Sequence, residues 1–107
     1  MSNRFFRGQI WAATLPGLSE EEFYLVISQN PRNHGLGTAL VVRITSKVKP
    51  DLASIVRIPA GEPVRGRVLC DDIEEMRDAD AHRLLGAFSP LTMRMLSRAL
   101  RVALALD

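Results

Sequence analysis

The sequence is poor in the residues that build disulfides and metal sites. It contains one cysteine, Cys70, and two histidines, His34 and His82, among 107 residues. A lone cysteine excludes a disulfide framework within the chain and a zinc site built on several cysteines. The two histidines lie far apart in the sequence, so they lack a metal-binding spacing. We therefore expect no metal site and no cofactor.

Long apolar runs and a strong excess of one charge are also missing. No stretch of about 18 apolar residues occurs, so the sequence predicts no membrane-spanning helix. Residues 1–7 lack the apolar run of a secretory signal, and we expect a cytoplasmic protein. The net charge is only +2, which permits a nucleic-acid partner but does not by itself indicate one.

What the sequence does contain is a series of short apolar segments separated by Gly and Pro turns. Its length fits one domain, residues 1–107, with a modest core. Residues 29–37 read as a loop, and residues 78–83 read as a single helical turn capped by Asp78. Strands are predicted over residues 9–14, 23–28, 39–45, 55–58, 67–70 and 84–88.

The last segment predicts an amphipathic helix that runs to about residue 106. Ser89 is a favourable N-cap, and Pro90 suits the first helical position. Met93, Leu96 and Leu100 recur at helical spacing and form the apolar stripe. Many short strands followed by one such helix are typical of the mainly β (α+β) class, here a small, strongly bent antiparallel barrel with a helix packed on it.

The strand over residues 39–45 carries the clearest chemical pattern. Leu40, Val42 and Ile44 alternate on one face and are predicted to be core. Arg43 and Thr45 then share the other, open face, about 7 Å apart along the strand. A guanidinium and a hydroxyl at that spacing are suited to holding a phosphate. A later strand, residues 67–70, is predicted to end in the paired carboxylates of residues 71 and 72.

Five segments, taken together and in order, resemble the MazF/PemK family of bacterial toxin endoribonucleases, which share a fold with the gyrase poison CcdB. The closest resemblance is to mycobacterial and actinobacterial members with Asn-x-Arg-Asn, here residues 30–33. The five segments are Arg-Gly-Gln-Ile-Trp at 7–11, Leu-Val-Ile-Ser-Gln-Asn at 25–30, Arg-Ile-Thr-Ser at 43–46, Gly-Arg-Val-Leu-Cys-Asp-Asp-Ile at 66–73 and Leu-Gly-Ala-Phe-Ser-Pro-Leu-Thr-Met at 85–93.

This resemblance implies a fold, an activity and partners. The fold would be an SH3-like barrel that forms a homodimer. The activity would be metal-independent cleavage of single-stranded RNA, messenger or transfer, through attack by the 2′-hydroxyl. The chain would be the toxin of a type II toxin–antitoxin system, and a MazE-like antitoxin would insert a disordered tail into the RNA groove.

The candidate site residues follow from the strand pattern and the resemblance together. A cation must steady the phosphorane, and the candidates are Arg43, Arg32 and Arg67. The hydroxyls of Thr45 and Ser46 would bond to the non-bridging oxygens. The predicted catalytic set is therefore Thr45, Ser46, Arg43 and Arg32, and the predicted RNA-binding set is Asn30, Asn33, His34, Tyr24, Arg67 and Asp71.

One departure from the family leaves a second function open. Most members have an Arg-Pro pair where this chain has Phe23 and Tyr24, and that Arg is a principal catalytic residue. Residues 20–22, which precede them, are three glutamates and would repel a phosphate. The alternative is a catalytically inactive relative that binds a protein or nucleic acid. In that case Thr45 would be a turn cap, and Arg43 would be a solvated surface residue.

Overall fold

The computed structural model describes residues 4–106, which form six strands and two α-helices. A single 3₁₀ turn, Asp78–Asp80, joins the last two strands. In chain order the elements are β1 (Gln9–Ala13), β2 (Glu22–Val26), α1 (Asn30–Leu36), β3 (Thr38–Thr45), β4 (Ile55–Arg57), β5 (Arg67–Arg77), β6 (Ala81–Ala87) and α2 (Pro90–Ala103).

The strands form one curled antiparallel sheet. Their order is β4-β5-β3-β2-β1-β6, with β4 and β6 at the edges. The β4–β5 loop packs closely against β6: a Cβ placed on Gly86 of β6 would lie 2.9 Å from Cγ of Pro63 in this loop. The predicted mainly β class, a small antiparallel barrel with a C-terminal helix, is confirmed.

The sheet buries apolar side chains on both of its faces. On β2, Leu25 points into a core that α2 covers, whereas Tyr24 and Val26 point into a second core on the other face. Alternation along a strand produces this division, since successive side chains point to opposite faces. The prediction of an open second face was therefore wrong for most of its length, because Val41 on β3 is fully buried there.

The predicted loop over residues 29–37 was wrong, because α1 occupies it. Pro31 stands in the first turn, and Gly37 ends the helix at φ +70° with its N–H donating to the carbonyl of Asn33. The side-chain amide of Asn33 donates to the Ser28 carbonyl at 3.0 Å and is buried. Pro at a helix start and Gly at its end are capping residues, although the same residues also signal loops.

The fifth strand was predicted to end at residue 70, but β5 continues to Arg77. Leu69 pairs with Arg43 and Ile73 pairs with Val42, so residues 70–72 bulge out of the ladder. The Asp71–Asp72 carboxylates thus lie on a bulge in mid-strand and not at a strand end. Bulges bend a strand and strengthen its twist, and this one lets β5 follow the curled sheet.

Other boundaries also differ from the prediction, since β2 ends at Val26 and not at residue 28, and β6 begins at Ala81 and not at residue 84. The helical turn covers residues 78–80 only, and it is closed by Asp80, whose carboxylate accepts from the Arg77 backbone N–H at 2.9 Å, and not by Asp78. The last helix begins as predicted, with Ser89 Oγ accepting from the Thr92 N–H, but it ends at Ala103. Within residues 4–106 no helix is both long enough and apolar enough to cross a bilayer.

Burial of Cys70 predicts an alkaline loss of stability. Burial raises the pKa of its thiol from 9.0 to about 12. Well below pH 9 the thiol is neutral in both states, so it adds no pH dependence there. Above pH 9 the unfolded chain loses this proton more readily than the folded chain, so the free energy of unfolding falls as the pH rises toward 12.

Urea denaturation on both sides of pH 9, for wild type and Cys70→Ala, measures this effect. We expect the variant to lose less stability than wild type between pH 9 and pH 10. Some pH dependence will remain above pH 10, because burial also raises the pKa of Tyr24. If the free energy of unfolding falls equally steeply with pH in the two proteins, the assignment to Cys70 is wrong.

Candidate nucleic-acid interface

A row of polar side chains crosses three neighbouring strands at the end of the sheet where β3 stops. Arg67 on β5 lies directly opposite Thr45 on β3, and it also lies directly opposite Arg57 on β4. Val68, next to Arg67 in the sequence, points into the core beneath α2. Because successive side chains alternate, Thr45, Arg67 and Arg57 share the face turned away from α2.

Gly66 holds the start of β5 against the end of β3. Its φ is +118°, and a Cβ on it would lie 2.2 Å from the backbone oxygen of Thr45. No residue with a side chain fits there, because the close neighbour is backbone and cannot rotate away. This contact fixes the position of Arg67 beside Thr45.

The hydroxyl of Thr45 is oriented by the turn that follows it. Its Oγ1 accepts a hydrogen bond from the Lys47 backbone N–H at 3.1 Å. Within the described part of the chain the hydroxyl donates to no acceptor. Thr45 is therefore a turn cap with an unused donor, and it lines the cleft described below although only 5% of it is exposed. Ser46, beside it, is exposed.

Arg43 lies next to Thr45 and is paired with a carboxylate. Its Nε lies 3.7 Å from Oε1 of Glu22, and both side chains are less than one-third exposed. The Nε atom itself is buried and has no hydrogen-bond partner among residues 4–106. Tyr24 is the cross-strand neighbour of Arg43, and it is only 1% exposed, so it packs in the second core.

Arg43, Glu22 and Thr45 line a cleft of about 340 Å³. It contains both signs of charge. Glu21 at its edge is tied to β6, since its carboxylate meets His82 Nδ1 at 2.8 Å and Arg83 at 3.0 Å. The hydrogen bond from His82, helped by the charge of Arg83, lowers the pKa of Glu21. The full lining is Glu20, Glu21, Glu22, Phe23, Arg43, Ile44, Thr45, Ser46, Lys47 and Arg65.

A second, larger cleft has a volume of about 710 Å³, and Arg65 lines both clefts. It also contains Arg57 and Arg67. Within residues 4–106 no carboxylate comes within 4.0 Å of any of these three guanidinium groups. Glu62 is the carboxylate in the lining, and it is engaged by Ser89, whose Oγ donates to it at 2.8 Å.

Several predicted site residues lie at the opposite end of β3. Arg32, on α1, donates to the Thr38 carbonyl at 2.9 Å and pairs with Glu75 at 3.5 Å. Thr38 and Thr45 are seven residues apart on one strand, or about 23 Å. The structure thus brings Thr45, Ser46, Arg43 and Arg67 together and keeps Arg32, Asn30, Asn33 and His34 away from them. Asp71 is exposed on the bulge.

The sequence reasoning gave no site role to four charged residues of the two clefts, and it took the glutamates at 20–22 only as groups that repel phosphate. The four are Lys47, Arg57, Glu62 and Arg65. A signal for two of them was present, because Arg57, Arg65 and Arg67 flank one predicted hairpin. Pairing β4 with β5 in register would have placed Arg57 opposite Arg67.

The family and the relatives of the chain agree with this architecture. A family model described as PemK-like, MazF-like toxin of type II toxin–antitoxin system matches residues 6–104. Endoribonuclease MazF1 of Mycobacterium bovis and endoribonuclease MazF4 of Mycobacterium tuberculosis are each 30% identical to this chain over 104 residues. That span is 97% of this chain and 96% of each relative.

Solved structures show the same likeness in three dimensions. A mycobacterial endoribonuclease in complex with its cognate antitoxin superposes with a TM-score of 0.88 at 28% identity, over 96% of this chain and 97% of that one. A MazE–MazF structure from Deinococcus radiodurans has a TM-score of 0.77 at 22% identity, over 96% of this chain and 97% of that one, and shows the fold alone.

Replacing Gly66 tests whether the β5–β3 contact builds the site. In Gly66→Ala the new Cβ meets the Thr45 backbone, and the positive φ adds strain. We expect a loss of about 2–4 kcal/mol in the free energy of unfolding, measured by urea denaturation. Gly61→Ala is the matched control, because φ is +92° there with no atom within 4 Å of the new Cβ. Equal losses in the two variants would show that the contact with Thr45 adds nothing.

Proposed function

This chain belongs to the PemK-like, MazF-like toxins of type II toxin–antitoxin systems, and we propose that it is a metal-independent endoribonuclease. Its substrate is single-stranded RNA, messenger or transfer. One observation carries the proposal: the free hydroxyl donor of Thr45, the guanidinium of Arg43 and the carboxylate of Glu22 line one cleft. The names of the full-length mycobacterial relatives support the same activity.

Cleavage of RNA through its own 2′-hydroxyl needs a base, a cation and an acid. In this proposal Glu22 takes the proton of the 2′-hydroxyl, whose oxygen then bonds to phosphorus. Arg43 and Thr45 donate hydrogen bonds to the non-bridging oxygens as the phosphorane gains charge. The bond from phosphorus to the 5′-oxygen breaks, and the ammonium of Lys47 supplies the proton that this oxygen takes up. The products are a 2′,3′-cyclic phosphate and a 5′-hydroxyl end.

Phe23, which stands at a position where the family commonly has arginine, does not remove the cation from this site. Its side chain packs against the core beneath α2. Arg43, on the same strand as Thr45, and Arg67, on β5, bring guanidinium groups to the face of Thr45. Arg67 and the exposed Ser46 would hold the RNA beside the reacting phosphate.

A binding module without catalysis is the second candidate. It is favoured by the 3.7 Å contact between Glu22 and Arg43, because a paired carboxylate neutralises much of the charge that a phosphorane needs. The two candidates differ in whether RNA is cut, which one assay decides.

The proposed partners follow from family membership. A MazE-like antitoxin would cover the clefts and block RNA, and the toxin would act in the cytoplasm, where messenger and transfer RNA occur. We also propose a homodimer, for which light scattering should give twice the mass of the chain. A monomer mass at micromolar concentration would contradict the dimer.

Cleavage assays in EDTA test the catalytic assignment. Wild type should cut single-stranded RNA and leave 5′-hydroxyl ends, because no metal takes part in the proposed steps. Thr45→Val removes one donor to the phosphorane and should lower kcat by about 100-fold to 1000-fold. Glu22→Gln removes the base and should cost a similar factor or more.

Thr45→Ser is the control, because it keeps a hydroxyl at the same place and should retain most of the activity. If wild type leaves RNA intact while still binding it, the chain is a binding module. If Thr45→Val and Glu22→Gln cut as fast as wild type, the active site lies elsewhere.

A further inference from the structure

Two arginines face each other across β4 and β5 without a counter-charge. Arg57 and Arg67 are direct cross-strand partners. Like charges in that position destabilise a sheet. Within the described residues, neither guanidinium has a carboxylate within 4.0 Å, and Arg57 is exposed. An arrangement that costs folding free energy and offers two guanidinium groups is suited to an anionic ligand.

We propose that Arg57 and Arg67 form a second phosphate site, which binds the backbone of the RNA next to the phosphate that is cut. This inference rests on the proposed function. Thr45, Arg67 and Arg57 are consecutive members of one row, and neighbouring strands lie about 4.8 Å apart. The RNA strand therefore crosses the sheet from β3 over β5 to β4, and Arg57 lies about 10 Å from Thr45.

The shape and charge of the larger cleft fit this path. It is about 710 Å³ in volume, and Arg65 lines both it and the first cleft. Its one lining carboxylate, Glu62, accepts hydrogen bonds from the Ser89 N–H and hydroxyl, so its charge is directed at the start of α2. Arginine guanidinium groups bind phosphate with two parallel hydrogen bonds. A row of two guanidinium groups that begins beside the Thr45 hydroxyl suits a phosphodiester chain better than a free anion.

Binding of an uncleavable oligonucleotide tests this site. The probe is a fluorescein-labelled, all-deoxy single strand, which keeps the phosphates but lacks the 2′-hydroxyl. For Arg57→Gln we expect Kd to rise about tenfold. The slope of log K against log salt concentration should become shallower by about 0.7, the value for one phosphate contact on a single strand. Arg57→Lys keeps the charge and should keep most of the slope.

Arg94→Gln is the matched control, because Arg94 is exposed on α2, which covers the opposite face of the sheet. It should leave both Kd and slope unchanged. Arg57→Gln should not lower the unfolding temperature, since the substitution removes a like-charge pair. On RNA it should raise KM while kcat stays near wild type.

The outcomes separate this proposal from the proposed function. If wild type cuts RNA but Arg57→Gln keeps the wild-type Kd and slope, the second phosphate site is wrong and the ribonuclease assignment stands. If the deoxy probe binds in an Arg57-dependent way while RNA is never cut, the catalytic proposal is wrong and the phosphate site is supported. If Arg94→Gln weakens binding of the deoxy probe as much as Arg57→Gln does, the effect comes from net charge alone and the second phosphate site is wrong.

Discussion

The pairing of β3 with β5 is the constraint on which both the core and the site depend. The bulge at residues 70–72 divides this pairing into two parts. In one part Met76 lies opposite Ala39, and both are buried in the second core. In the other part Arg67 lies opposite Thr45. The first part of β5 thus belongs to the polar row, and its last part belongs to the second core. The bulge between them bends the strand, so that it follows the curvature of the sheet.

The second core also explains where the polar site can lie. It fills the face away from α2 along much of the sheet but does not include the end of β3, where the buried Thr45 lines the smaller cleft. Tyr24 belongs to this core, and its cross-strand neighbour Arg43 stands at the border. A guanidinium at the border of an apolar layer is partly shielded from water, which strengthens its interaction with a charged ligand. The same burial leaves the Nε atom of Arg43 without a partner.

Charge in the two clefts is arranged in opposite ways. In the smaller cleft Arg43 faces Glu22, an arrangement suited to moving a proton beside a cation. In the larger cleft Arg57 and Arg67 face each other, and Glu62, the lining carboxylate among residues 4–106, is held at the N-terminus of α2. In the proposed mechanism, chemistry takes place in the smaller cleft and RNA binding in the larger one, and Arg65 lines both.

The sequence by itself determined the mainly β class, the start of the last helix at Ser89 and the family. Alternation, capping residues and motif order are local signals, and they can be recognised without knowledge of the tertiary contacts. It also placed Arg43 beside Thr45, because two residues on one strand face stay neighbours in any fold. Only the tertiary structure decided that Arg32 lies away from Thr45 and that Arg57 and Arg65 lie near it. Those distances depend on strand pairing and on the contact of Gly66 with the β3 backbone. Such contacts join segments that are far apart in the chain, and they produce no periodic pattern in the sequence of either segment.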